Sequence, residues 1–166
     1  MAYDTEDVLI EIRRHLADVD KGLNSFITII NYNKALTDVA NYGQLITLDA
    51  IDFTRAVYLL NENTHMLDFM QFVGITIEGE KLGDMGEVEL TVGIKIHIRD
   101  RMDGFIDARA LRYRQAIKNT FAYNRLFGGL TFTKMAGMET EAYTDQQGRE
   151  VYRAVGFMLR TIYAIR

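Results

Sequence analysis

Val8, Ile12, Leu16, Val19 and Leu23 recur at spacings of four, four, three and four, the period of one face of an α-helix. Asp4 or Thr5 is placed to cap its start, and Glu6, Asp7 and Glu11 lie where the helix dipole favours negative charge. Gly22 and Asn24 mark its end. His15 borders the stripe and reads as a packed histidine, because the three histidines show no paired ligand spacing. Residues 26–32 (FITIINY) are β-branched and aromatic, which predicts a strand. Residues 31–44, with Asn31, Asn33, Asn41 and Gly43, predict a loop. Residues 45–60 fit either period, and a strand from about Phe53 onward is the preferred reading. Residues 61–65 form a turn cluster, and 67–78 predict a strand ending at Glu78. Gly79, Gly83, Asp84 and Gly86 then form a turn region.

The cleanest alternation follows. Val88, Leu90, Val92, Ile94, Ile96 and Ile98 point one way, while Glu87, Glu89, Thr91, Gly93, Lys95, His97 and Arg99 point the other. That is a strand with one buried face and one wet face. Asp100 or Asp103 opens a second helix whose buried stripe is Ile106, Ala110, Tyr113, Ile117, Phe121 and Asn124, closed by Phe127-Gly128-Gly129. Residues 130–136 predict a short strand and 144–148 a turn. Residues 150–166 alternate throughout, and at ~3.3 Å per residue such a strand reaches on the order of 50 Å. One of its faces carries Val155, Phe157, Leu159 and Tyr163; the other carries Tyr152, Ala154, Gly156, Met158, Arg160, Ile162 and Ala164. The fold class this implies is α+β: an antiparallel β-sheet with two amphipathic helices packed on one face. One domain spans 1–166, with a long irregular insertion around 31–52. Two helices cover one side of the last strand. Its second side is apolar enough to predict contact with further copies of the chain.

Composition narrows the chemistry. Apolar residues are 48% and charged residues 25%, as in ordinary globular domains, so a full core is affordable. There is no cysteine, which excludes a disulfide framework, a zinc–thiolate site, an iron–sulfur cluster and a cysteine nucleophile. There is no proline, so no loop is stiffened by a fixed φ. The formal charge of −4 opposes a general nucleic-acid coat. No apolar run reaches the ~20 residues of a membrane helix, and the acidic start does not read as a secretory signal. The glycines of KLGDMGE do not join a strand to a helix, so they read as a turn and not a phosphate loop. Ser25 is the single serine and lies outside any nucleophile elbow. Asp100, Asp103 and Asp107 read as capping acids rather than a metal site, being interleaved with Arg99, Arg101 and Arg109. His65 and His97 have no evident catalytic partner; the best enzyme reading gathers Tyr113, His97 and Asp103 in a pocket between helix and sheet. No catalytic residue, metal or cofactor is called for. Glu78, Glu80, Asp84, Glu87 and Glu89 make an acidic tip that would repel phosphate, and Arg114, Lys118 and Arg125 make a basic row along the second helix.

The order of elements carries a family resemblance. An amphipathic helix opens the chain, and a long alternating strand follows. Then come a helix with spaced arginines (IDARALRYRQAIKNTF), a D-x-x-G turn (TDQQGRE) and a terminal strand (VYRAVGFMLRTIYAI). This layout resembles the tail terminator and related neck (head–tail joining) proteins of tailed bacteriophages. The resemblance implies a structural virion protein and not an enzyme, made in the host cytoplasm. Such a protein forms a homo-oligomeric ring, usually a hexamer, on the last ring of the tail tube, and docks to connector or neck proteins. DNA only passes through its lumen, and no membrane is involved. On that reading the subunit contacts fall on Gly156, Met158, Arg160 and Ile162 and on the row Arg114, Lys118 and Arg125, with the acidic tip toward the lumen. The rival readings are another neck or tail component (a head-completion or connector protein, or a tail-tube subunit), a small-molecule-binding domain or enzyme, and a DNA-binding module.

Overall fold

The computed structural model describes residues 4–60, 71–122, 126–127, 130–136, 140–144 and 146–164. The expected turn at 61–65, His65, the start of the strand expected from 67, Asn124, Arg125, Gly128 and Gly129 lie outside these residues.

Helix α1 (Thr5–Leu16) opens with a capping box: Asp7 N–H donates to Asp4 Oδ1 at 2.8 Å, and Asp4 N–H donates to Asp7 Oδ2 at 3.2 Å. It buries Val8, Leu9, Ile12 and Leu16. It ends about two turns earlier than the apolar stripe suggests, leaving Val19 89% exposed. The cause is local. The Asp18 carboxylate accepts from the amides of Asp20 and Lys21 at 2.9 and 2.8 Å, which turns the chain. Gly22 then passes so close to Asp18 that a Cβ on it would lie 2.3 Å from the Asp18 carbonyl oxygen.

Helix α2 (Leu23–Tyr42) corrects two expectations at once. Residues 26–32 are helical and not a strand, and 31–42 continue the same helix, so the irregular insertion is confined to residues beyond Tyr42. The Ile- and Thr-rich run favours strand locally, yet Leu23, Ile27 and Ile30 bury on one helical stripe, and that packing outweighs the propensity. Gly43 stops the helix with φ 75°, its N–H bonding Val39 O at 3.0 Å. The strand expected from Phe53 is shorter: β1 (Val57–Leu59) follows a turn in which the Asp52 carboxylate accepts from Thr54 N–H at 3.0 Å.

Strands β2 (Gln71–Leu82) and β3 (Glu87–Arg99) form a hairpin, tightened at Gly86 with φ 76°. β2 runs past Glu78, which is accommodated as a bulge between Ile77 and Gly79; Gly79 is thus strand and not turn. Helix α3 (Ile106–Ala122) buries Ala110, Tyr113, Ile117 and Phe121 as its spacing predicts. Strands β4 (Leu126–Phe127), β5 (Leu130–Ala136), β6 (Thr140–Thr144) and β7 (Glu150–Ala164) complete the chain.

The sheet order is β1-β2-β3-β7-β5-β4, with β6 also on β7. Fifteen-residue β7 lies at its centre: β3 pairs along one edge, while β5 and β6 share the other end to end. All pairs are antiparallel except β1–β2, so the sheet is mixed rather than wholly antiparallel. The fold is α+β. Among the described residues three helices, not two, contribute to one core with β2, β3 and β7. That core holds Val73 and Ile75, the apolar face of β3 from Val88 to Ile98, and Val155, Phe157, Leu159 and Tyr163.

The second face of β7 differs from expectation over half its length. Tyr152, Ala154 and Gly156 are buried, and Tyr152 clusters with Ala56 and Phe72, with Tyr58 packed against them. Only the distal half stays open, with Met158 half-buried and Arg160, Ile162 and Ala164 exposed. The chain therefore covers the proximal half itself, and Gly156 is not a surface residue.

Candidate subunit-contact surface

The open half of β7 faces away from the helices, beside the acid-bearing ends of β2 and β3. The register sets Thr91 opposite Arg160 and Glu89 opposite Ile162. The Arg160 guanidinium lies 3.8 Å from the Glu89 carboxylate, a contact too exposed to add much stability. Ile162, 40% exposed, borders a shallow cleft of about 180 Å³ with Lys81, Leu82, Glu87 and Glu89. Two residue sets that the sequence treats separately, the apolar strand end and the acidic tip, thus form one surface.

The acids do not all share that surface. Glu78, at the bulge, accepts from Thr76 Oγ1 at 2.6 Å beside Gly93, on the outer face. A Cβ on Gly93 would lie 2.5 Å from Glu78 Oε1, so the exposed Glu78 side chain occupies the space above this glycine and would have to move to admit one. Glu80 turns instead toward α1, where Thr5 Oγ1 lies 3.4 Å away and also bonds Tyr163 Oη at 2.7 Å. Asp84 is exposed in the hairpin turn. The basic row lies in the other layer: Arg114 is half-buried and Lys118 exposed on α3, across the core from the outer sheet face. Arg125 lies outside the described residues.

The α2–α3 layer is tied down by Asn31 and Asp38, from the expected loop, and by Asn24, expected to mark the end of the first helix. Asn24, Asn31 and Asp38 repeat every seven residues, so they stack on one row of α2. Asn31 Nδ2 donates to Leu48 O at 2.9 Å and its Oδ1 accepts from Leu48 N–H at 2.8 Å. Asn24 does the same for Ile51, at 2.9 and 2.8 Å. Asp38 Oδ2 accepts from Ile46 N–H at 3.1 Å. These three side chains stand in for a neighbouring strand and let Ile46, Leu48 and Ile51 bury from an irregular segment. Tyr113 Oη adds a bond to Asp49 O at 2.8 Å. The signal available in the sequence was the seven-residue spacing of side-chain amides and a carboxylate.

Asp38 and Arg112 form a buried bidentate pair between α2 and α3, with Nη1–Oδ2 at 2.9 Å and Nη2–Oδ1 at 2.5 Å. Arg112 also donates to Ile46 O. The guanidinium holds the Asp38 carboxyl below the usual carboxylate range. Asp103 is paired with Arg109, which lowers its pKa to about 2. Burial pushes the Tyr113 phenol up and the His15 imidazole down.

The enzyme-like constellation does not assemble. Tyr113 lies in the helix-side core, whereas His97 is buried on the outer face, stacked on Phe72 at 4.4 Å between ring centres. Asp103 is spent on Arg109. Asp100 accepts from Met102 N–H at 2.9 Å, and Asp107 pairs with Arg153 at 2.6 Å, so the three aspartates are separately engaged. No group of three or more His, Cys, Asp or Glu side chains suited to a metal ion occurs among the described residues. KLGDMGE is the β2–β3 hairpin connection. No described helix is long and apolar enough to cross a membrane. No protein-family model matches the chain, and no curated protein matches it in sequence.

Proposed function

We propose that this chain is a structural virion protein of a tailed phage. In this reading it forms a ring, hexameric by resemblance, at the head-proximal end of the tail. There it ends the tail tube and joins it to the connector or neck, with DNA passing through the lumen. The observation that carries the reading is the half-open second face of β7. One half of an otherwise covered face is left open, with exposed Ile162 and half-buried Met158 beside Arg160. The neighbouring surface carries Glu87 and Glu89 together with Lys81 and Arg160. The α3 row of Arg114 and Lys118 lies in the opposite layer. An open patch on one edge of the fold suits a head-to-tail contact, which closes into a ring when its rotation closes.

Electron microscopy and light scattering of the purified protein, with tail tubes added, test this. Single rings, lost in Met158→Glu/Arg160→Glu while circular dichroism is unchanged, are the expected result. Long self-stacked polymers would instead favour a tail-tube subunit. A monomer that never joins tube ends would sink the ring reading.

A further inference from the structure

Among the described residues a second apolar face lies open, independent of the sheet surface. Helix α2 is apolar on two opposite sides. Leu23, Ile27 and Ile30 enter the core, while Ile29, Tyr32, Leu36 and Val39 form a stripe on the solvent side. Tyr32 is 77% and Leu36 85% exposed, and residues 32–37 are exposed all round, so the middle of the helix stands clear of the fold. A helix apolar on both sides is normally covered on both.

The stripe itself indicates what covers it. Its spacings of three, four and three are those of a coiled-coil seam, so the matching object is another helix. The same spacings read identically from either end, so the stripe is complementary to an antiparallel copy of itself: Ile29 meets Val39, and Tyr32 meets Leu36. Charge does not oppose this. The helix has two charged residues, of which Asp38 is buried against Arg112 and Lys34 lines the groove on the α3 side. Leu111 of α3 borders the same groove, of about 420 Å³, next to Ile29. The exposed parts of the stripe and Leu111 amount to on the order of 700 Å², near the ~800 Å² that each partner gives a standard interface. We infer that α2 is a self-association surface that pairs antiparallel with the α2 of a second copy across a two-fold axis.

The test is made in the Met158→Glu/Arg160→Glu background, so that the sheet-face contact cannot supply the association. Light scattering at about 100 μM should give a dimer, and adding Leu36→Glu should halve the mass with the circular dichroism unchanged. The chain has no cysteine, so disulfide trapping is clean. A mixture of Tyr32→Cys and Leu36→Cys chains should oxidise to the mixed dimer in preference to either homodimer. A monomer before Leu36→Glu is added, or an unchanged mass after it, overturns the contact. A homodimer of Leu36→Cys chains as the main cross-link overturns the antiparallel arrangement.

Discussion

Asp38 and Arg112 illustrate how much rests on single side chains here. Both are buried, and each is the other's main counter-charge, so removing one strands the other. Asp38→Ala should destabilise the protein by about 3–5 kcal/mol in urea melts, far more than an exposed pair would. Asn31→Ala, which leaves both polar groups of Leu48 unpaired in a half-buried site, should cost about 1–3 kcal/mol. The acid limb of stability follows from the same groups. Asp38 and Asp103 are both depressed in the fold, so their contribution is complete above the unfolded carboxylate pKa near 3.8 and fades as pH falls toward the folded values, about 2 for Asp103. Urea midpoints measured from pH 5 to 2 should fall steeply, and less so in Asp103→Asn. His15 acts in the same direction at higher pH: its lowered pKa means that stability is lost as pH falls below 6.5, where the unfolded chain takes up a proton first.

At the scale of elements, the helix break at Gly22 is as informative as any helix. Because a Cβ there would meet backbone and not a movable side chain, Gly22→Ala should lower the thermal midpoint, by about 4–8 °C per kcal/mol lost in a small domain and less in a chain of this size. This break also explains what the sequence concealed. Leu23 lies on the apolar stripe of α1, so a period-based reading ran two helices together. In α2 the β-branched run and the asparagines each had a plausible local meaning, and both were overruled by non-local partners. The isoleucines pack on the core, and the asparagines bind a segment some twenty residues away. Elements governed by a single strong period were legible: β3, α3 and β7 lie within a few residues of their expected bounds. The candidate surface was legible in part. Met158, Arg160 and Ile162 are where the alternation put them, but the covering of the proximal half depends on Ala56, Phe72 and Tyr152 meeting across strands, which no local pattern encodes.

For the molecule as a whole, the arrangement of β7 bears on how the chain is made. The strand completes the sheet from both sides, yet it is translated after every strand that pairs with it. At ~5–20 residues per second, the interval between completing Arg99 and starting Glu150 is roughly 3–10 s. Throughout that time the growing polypeptide on the ribosome holds β3 with one unsatisfied edge and an unfilled core face beneath the helices. Neither the β2–β3 hairpin nor the helices can substitute for the missing strand. Nascent chains arrested just before residue 150 should therefore recruit chaperones and fail to resist protease, and protection should arrive abruptly once β7 clears the exit tunnel.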